Sequence, residues 1–348
     1  MLISRTLTTR MSSAARTAAT APAVGRTRAV ICVLVSAALM LSLVSMTPAR
    51  GSDRDDQPGQ ADAKPRNTPA QRQKIAEARR QRPEPPPRCA YVPSEFPAAR
   101  ETRACLRYAG KGRTVLVIGD SHAEHWVPAL RRVAERRDWR LYSLTRAKCN
   151  PLNFIAVRPL DRGHPTVGEA CTNWKRRGAY STVIERVDPD LVLFGGRSQV
   201  YDIRFQVGGP VIRRSSPRYF KAWKRSWIGT VKTMTKGDHK VGALTLQPTL
   251  RFNTPDCLAR HGFSTRACDL RVTRDAATRR ANQWISRINH VYRQVRPVPV
   301  NALVCPGLRC TAVQDGLVTH ADLSHLTTVW SRSVGIRVFA MLLNRGLV

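Results

Sequence analysis

The stretch TVLVIGDSHAEHWVPAL, residues 114–130, decides the fold and holds the first candidate functional residue. Residues 114–118 are all β-branched or apolar, which is typical of a short strand buried on both faces of a parallel sheet. Gly119 and Asp120 end this strand, and a helical pattern begins at Ser121. The first N–H groups of a helix favour negative charge, so a serine there suits a nucleophile whose attack creates an oxyanion. The alternative role for Ser121 or Asp120 is a helix cap.

Strand and helix patterns alternate through the rest of the chain. Short apolar runs predict five strands, at 114–118, 140–144, 190–194, 241–246 and 298–303. Amphipathic stripes predict helices after residue 121 and within 167–187, 219–234, 281–295 and 327–344. This alternation predicts an α/β fold, a three-layer sandwich around a parallel sheet of about five strands. The active site of such a sheet lies at the carboxyl ends of its strands, which is where Ser121 is predicted to be.

A second motif, THADLSHLTTVW at residues 319–330, precedes the last predicted helix. Asp322 and His325 are three residues apart, and on a helical turn such side chains share a face. A carboxylate in that position can orient the imidazole so that its other nitrogen is free to act as a base. The two motifs together predict Ser121 as nucleophile, His325 as general base and Asp322 as its orienting carboxylate. The alternative is a cap and a surface histidine.

These motifs make the chain resemble the SGNH (GDSL-like) hydrolase superfamily. More narrowly, it resembles the SGNH domain found at the C-terminus of bacterial membrane acyltransferases that O-acylate cell-surface glycans. The resemblance covers about residues 89–348 and includes four further stretches: LTRAKCNP at 144–151, CTNWKRR at 171–177, PDLVLFGGRS at 189–198 and LVCPGLRCTAVQDGLVTHADLSHLT at 303–327. It implies a flavodoxin-like sandwich, the SGNH hydrolase fold, with catalysis by Ser121, His325 and Asp322.

The sequence departs from the superfamily pattern at the oxyanion hole. The third superfamily block usually reads Gly-x-Asn, and its asparagine amide helps to hold the oxyanion. Here the run is Gly195-Gly196-Arg197-Ser198, without an asparagine. The candidate donors are therefore the Ser121 N–H, a backbone N–H near Gly195 or Gly196, and the Arg197 guanidinium. A solvated arginine is the alternative for Arg197.

The first 88 residues predict export and a spacer. Residues 29–46 are apolar and uncharged, and five arginines with no acidic residue precede them, which is typical of a signal or membrane anchor. We therefore expect a leader with its apolar segment at 1–50, a disordered linker rich in Pro, Arg and Gln at 51–88, and the folded domain at 89–348. The domain would lie outside the cell, either anchored by one span or secreted after cleavage.

Eight of the nine cysteines lie in the predicted exported part. An even number there indicates disulfides, and short loop closure favours pairing of sequence neighbours, although eight cysteines allow 105 connectivities. The predicted pairs are Cys89 with Cys105, Cys149 with Cys171, Cys257 with Cys268, and Cys305 with Cys310. Buried free thiols are the alternative.

The formal net charge is +34, and residues 89–348 carry +25 of it, since the first 88 residues hold 15 basic and 6 acidic side chains. The predicted export and the scattered arginines argue against a nucleic-acid partner. Attraction to an anionic envelope surface is one explanation, and an arginine-rich proteome is the other. His122 and His125 lie beside Ser121 but have no further ligand at metal-site spacing, so no metal or cofactor is expected. Trp126 is predicted to pack in the core.

The sequence therefore predicts an exported serine-dependent O-acyl (acetyl) transferase or esterase that acts on a cell-envelope glycan. Because no multi-span membrane domain accompanies it in this sequence, we expect the acyl donor to be a separate membrane protein. One alternative is a catalytically weak glycan-binding module that retains the fold. Another is an exported esterase or lipase acting on small or lipid esters.

Overall fold

The computed structural model describes residues 67–84, 89, 103–157, 167–263, 266–272 and 275–348. The predicted leader and apolar segment, 1–50, and the first part of the predicted linker, 51–66, lie outside the described residues. Within the described ranges, no helix has both the length and the apolar character that a membrane span requires.

The strands and helices of the described residues alternate as the sequence predicts. The strands are β1 (Leu106–Ala109), β2 (Thr114–Gly119), β3 (Arg140–Thr145), β4 (Ile155–Val157), β5 (Leu191–Gly195), β6 (Asp202–Arg204), β7 (Lys240–Leu244), β8 (Leu270–Arg271), β9 (Val295–Val298), β10 (Arg309–Cys310), β11 (Val313–Gln314) and β12 (Leu317–Val318). The helices are α1 (Pro69–Arg80), α2 (Ser121–Glu124), α3 (Val127–Arg137), α4 (Val167–Arg176), α5 (Ala179–Val187), α6 (Tyr219–Met234), α7 (Thr254–His261), α8 (Ala276–Ile285), α9 (Ile288–Val291), α10 (Asn301–Val304), α11 (Thr328–Ser333) and α12 (Gly335–Asn344).

The main sheet has six strands in the order β1-β3-β2-β5-β7-β9. The five strands from β3 to β9 run parallel, and β1 adds an antiparallel edge. One apolar cluster packs helices α3, α11 and α12 on one face of the sheet, and a second packs α5, α6 and α8 on the other. The predicted three-layer α/β sandwich is confirmed. Trp126 is 2% exposed and belongs to the first of these clusters, as predicted.

Four of the five predicted strands match β2, β3, β5 and β7 to within two residues. The fifth prediction, 298–303, is wrong, because the strand is Val295–Val298 and half of the predicted segment lies in α10. The Val300 N–H donates to Val298 O at 2.8 Å, so the chain turns at Pro299 and pairing ends although the apolar run continues. The predicted helix over 281–295 divides accordingly into α8, α9 and the start of β9.

All four predicted disulfides are present, and each joins neighbouring cysteines: Cys89–Cys105, Cys149–Cys171, Cys257–Cys268 and Cys305–Cys310. The second of them fastens the loop after β3 to helix α4. The pairing inferred from short loop closure is therefore confirmed.

The predicted linker is wrong for residues 67–84, which we call the strap. The strap contains helix α1, and Ile75 and Ala78 of this helix are buried in a cluster with Leu258, Phe263 and Val318. Thr68 begins α1 with a capping box, and Pro69 occupies the first helical position. The low apolar content of this segment is typical of disorder, but two buried side chains and a capped helix order it against the domain.

Polar anchors hold both ends of the strap. At its start, the Asn67 side chain donates to Leu258 O at 3.0 Å and accepts from Phe263 N at 2.7 Å. At its end, Gln81 O accepts from the Thr328 N–H, 2.8 Å away, at the start of α11. The strap therefore ends close to the segment that carries Asp322 and His325.

Candidate active site

Ser121 lies at the sharp change of direction between β2 and α2. Gly119 ends β2 opposite Gly195 at the end of β5. A Cβ atom on Gly119 would lie 2.0 Å from Gly195 O and 2.6 Å from the Ala123 Cβ, so only glycine fits there. This close approach places the Ser121 side chain, half-buried, at the carboxyl edge of the sheet.

Asp120 fixes the start of α2 and joins it to the neighbouring strand end. Its Oδ1 accepts from the His122 N–H at 2.7 Å, which makes Asp120 the N-cap, as the sequence allowed. Its Oδ2 accepts from the Arg197 N–H at 2.8 Å. Burial raises the pKa of this carboxyl, while the two backbone N–H donors oppose the rise. Gly196 must remain small because a Cβ there would lie 2.8 Å from Asp120 Oδ2.

The three predicted catalytic side chains meet in one hydrogen-bonded chain. His325 Nε2 is 2.8 Å from Ser121 Oγ, and His325 Nδ1 is 2.7 Å from Asp322 Oδ2. Although burial favours the neutral acid, hydrogen bonds from the ring and backbone N–H of His325 hold the pKa of Asp322 well below its usual value. The ionised carboxylate can only accept, so Nδ1 carries the ring proton and Nε2 is left to accept from the Ser121 hydroxyl.

The Asp322–His325 turn is irregular rather than helical, which corrects the geometry assumed from the spacing. Asp322 Oδ1 accepts from the N–H groups of Ser324 and His325, at 2.7 and 2.8 Å. The Ala321 N–H donates to His325 O at 2.8 Å and closes the turn. The same carboxylate thus shapes its own loop with one oxygen and orients the imidazole with the other.

His122 and His125 lie behind the catalytic histidine. Burial, with the nearby cationic side chains, lowers the pKa of both imidazoles well below the usual value. The ring of His122 packs 4.8 Å from that of His325, and His125 O accepts from Ser331 Oγ. In the described ranges, no group of three or more His, Cys, Asp or Glu side chains could hold a metal ion. Both histidines are part of the packing that supports the site.

Two charged groups near the site were not anticipated from the sequence. Glu124, the last residue of α2, is fully buried, pairs with Arg107 at 2.6 Å and accepts from Thr145 Oγ1 at 2.7 Å. Arg82, from the strap, places Nη2 3.2 Å from His325 Nε2 and Nη1 3.9 Å from Asp322 Oδ2. Neither arginine is a near neighbour of its partner in the sequence, so no local sequence pattern predicts these contacts.

The model of a known sequence family matches most of this chain. The sequence model of a family described as the SGNH domain (fused to AT3 domains) matches residues 88–338. The chain belongs to the SGNH domain family. The predicted resemblance is therefore confirmed, and the family supports an enzyme that transfers or hydrolyses acyl groups.

Solved structures resemble this SGNH domain in fold. The periplasmic domain of the lipopolysaccharide acetyltransferase of Salmonella ser. Paratyphi A has a TM-score of 0.50 at 18% identity, with 79% of this chain and 95% of that chain covered. A Bacteroides fragilis NCTC 9343 protein assigned as an acylhydrolase has a TM-score of 0.39 at 11% identity, with 72% of this chain and 93% of that chain covered. Among curated proteins, none matched the sequence.

The candidate oxyanion donors of the SGNH domain lie around the end of β5. The Arg197 backbone N–H is occupied by Asp120. Its guanidinium donates to Thr249 Oγ1 and, at 3.3 Å, to Ser324 Oγ, within the Asp322–His325 turn. The N–H groups of Ser121 and of Gly195 or Gly196 remain the other candidate donors, and which of them serves stays a prediction.

Replacing Arg197 by alanine is expected to reduce kcat much more than it raises KM, because stabilisation of an oxyanion exists mainly in the transition state. The loss of one such donor typically slows the chemical step by about two to three orders of magnitude. Steady-state kinetics on an acetyl ester measures the change, with Arg131→Ala on the exposed side of α3 as the matched control. An effect confined to KM would make Arg197 a ground-state clamp, and no effect would leave the backbone N–H groups as the donors.

Proposed function

We propose that this SGNH domain is a serine-dependent O-acyl (acetyl) transferase or esterase that acts on a cell-envelope glycan through an acyl-Ser121 intermediate. The observation that carries the proposal is the continuous chain from Asp322 Oδ2 to His325 Nδ1, 2.7 Å, and from His325 Nε2 to Ser121 Oγ, 2.8 Å. These distances are those of a nucleophile within reach of its base and of a base held by a third group.

The geometry supports a two-step reaction. In the first step His325 Nε2 takes the Ser121 hydroxyl proton while Oγ attacks the carbonyl carbon of the acyl ester. The bond from that carbon to the leaving oxygen then breaks, and the leaving oxygen receives the proton from Nε2. In the second step water or a sugar hydroxyl gives its proton to Nε2 and attacks the acyl carbon. The bond from that carbon to Ser121 Oγ then breaks, and Oγ takes the proton back from Nε2. The enzyme is an esterase if water accepts the acyl group and a transferase if a sugar hydroxyl accepts it.

Four observations support an exported glycan enzyme. Four disulfides suit an oxidising compartment. The apolar run at 29–46 follows a basic leader, as an export signal or a single anchor does. The family is described as SGNH domains fused to AT3 domains, which supports a membrane acyl-donor protein as the partner. The excess of positive charge suits an anionic envelope surface.

A serine probe and product analysis together test the proposal. A fluorophosphonate is expected to label the wild-type protein at Ser121, while Ser121→Ala takes up no label and Ser286→Ala, an exposed serine, is labelled normally. Acetylated sugars are then incubated with and without a non-acetylated acceptor, and the products are identified by mass spectrometry. Acetate alone indicates an esterase, and acetylated acceptor indicates a transferase. Binding of the glycan without labelling or turnover would contradict the proposal and favour a glycan-binding module.

A further inference from the structure

We propose that Arg82 selects substrates that carry a negative charge close to the acylated oxygen, such as the carboxylate of a uronic acid or a phosphate substituent. This inference rests on the proposed acyl-transfer function and names its substrate class. It places a substrate-binding residue in the strap, outside the residues matched by the family.

The backbone around Arg82 is fixed, although the side chain is 44% exposed. On one side, Gln81 O accepts from the N–H and the hydroxyl of Thr328, at 2.8 and 3.0 Å. On the other, Pro83 is buried and Glu84 O accepts from Arg107 at 3.3 Å. The guanidinium is therefore held at the mouth of the site while keeping surface available to a ligand.

The guanidinium faces the atom of His325 that handles the transferred proton. His325 Nε2 has Ser121 Oγ at 2.8 Å and Arg82 Nη2 at 3.2 Å. In acyl transfer this nitrogen gives its proton to the leaving oxygen and later takes one from the acceptor. A group beside Nε2 on the solvent side therefore lies next to the leaving group or acceptor. Arg82 is on the sugar side of the reacting ester.

Arg82 also competes with the nucleophile in the absence of substrate. A neutral imidazole whose Nδ1 carries the proton has one lone pair at Nε2, and both the Ser121 hydroxyl and an Arg82 N–H are within reach of it. An anionic group offers the guanidinium a stronger, bidentate acceptor than a ring nitrogen. Binding of such a group would draw Arg82 away from Nε2 and leave that nitrogen to Ser121. A neutral sugar offers a weaker acceptor.

The electrostatics around the site favour an anion as the occupant. Arg197 contacts the Asp322–His325 turn through Ser324 Oγ at 3.3 Å, and Arg82 contacts it through His325 Nε2 at 3.2 Å. After burial, the positive charges of both arginines help to lower the pKa of His122. The carboxylates beside them are already engaged, because both oxygens of Asp120 and both of Asp322 accept hydrogen bonds. A negative charge on the substrate would offer the half-exposed guanidinium of Arg82 an anionic acceptor in place of the ring nitrogen of His325.

The test compares three acetylated substrates that share one reacting hydroxyl: a methyl hexoside, the corresponding methyl uronoside and a phosphate-substituted hexoside. We expect wild-type kcat/KM to be higher for an anionic substrate than for the neutral one by roughly ten- to a hundredfold, the effect of one hydrogen bond to a charged group. Arg82→Ala is expected to abolish this ratio, mainly by raising KM for the anionic substrates. The uronoside and phosphate arms distinguish the two sources of charge.

Two variants distinguish a loss of substrate selectivity from a general loss of activity. Arg79→Ala removes another strap arginine, paired with Asp256 away from the triad, and is expected to keep the wild-type ratio. Arg82→Lys keeps the charge but not the bidentate geometry, and an intermediate ratio is expected. The proposal is overturned if wild type shows no preference for negative charge, or if Arg82→Ala lowers kcat/KM for all three substrates by the same factor.

A binding measurement keeps this inference distinct from the proposed function. If no substrate is turned over and no fluorophosphonate label is found, the proposed function fails. Calorimetric titration of non-acetylated uronoside and phosphohexoside into Ser121→Ala, with and without Arg82→Ala, then decides the Arg82 assignment. Anion binding that depends on Arg82 supports it, and equal binding or none overturns it.

Discussion

Replacing Ser121 by alanine is expected to reduce turnover of a simple acetyl ester by about four to six orders of magnitude, down to a residual rate due to the rest of the site. The hydroxyl is the group that forms the acyl intermediate, and His325 Nε2 lies 2.8 Å from it to take its proton. Without Oγ the base has no nucleophile to activate. Initial rates with an acetylated sugar, read by acetate release, measure the loss.

The same substitution is expected to leave the fold intact. It removes one half-buried oxygen atom, and the Asp120 contacts that fix the start of α2 use backbone N–H groups rather than the Ser121 side chain. The melting temperature should therefore stay close to that of wild type, with Ser286→Ala as the matched control for activity. A purified, folded Ser121→Ala protein with the wild-type rate would show that the catalytic assignment is wrong.

Replacing His325 by alanine is expected to cost about as much as losing Ser121, since a nucleophile and its base act as one unit. Asp322→Asn should be less damaging, with a loss of about four orders of magnitude, because the base remains but its orientation and the stabilisation of the imidazolium are disturbed. The asparagine carbonyl can replace Oδ1 as acceptor for the Ser324 and His325 N–H groups, but its amide cannot accept from Nδ1 as Oδ2 does.

Single-turnover kinetics of the two variants shows which of them loses more activity. Circular dichroism checks that both variants stay folded. Small and equal effects would mean that the Asp322–His325 pair only shapes the loop ahead of α11. A larger loss for Asp322→Asn than for His325→Ala would mean that the carboxylate has a role beyond orientation.

Local patterns predicted most of the sheet and the central triad. The apolar run ending at Gly119 marks a buried strand, and the two short motifs around Ser121 and Asp322 contain the residues that meet. Short loop closure was sufficient to predict the disulfides. Each of these features depends on neighbours within a few residues or on the general order of a parallel sheet.

The features that were missed depend on contacts between distant residues. Arg82 and His325 are 243 positions apart. The strap looks like a spacer because only three of its residues, Ile75, Ala78 and Pro83, are buried. The charge pair of Arg107 and Glu124 likewise joins an edge strand to a helix beneath the site. The fifth strand was misplaced because the apolar pattern continues past Val298, although the chain turns there and pairing ends.

The strap changes where a recombinant fragment of this protein should begin. A fragment cut at residue 88, the start of the family match, would keep the triad but lose helix α1. The apolar side chains of Leu258, Phe263 and Val318 would then face water, and exposed patches of this kind promote aggregation. Such a fragment would also present an unrestrained His325 to small esters. Its activity would describe a more permissive catalyst than the longer chain, so substrate screens belong on a version that starts before Asn67.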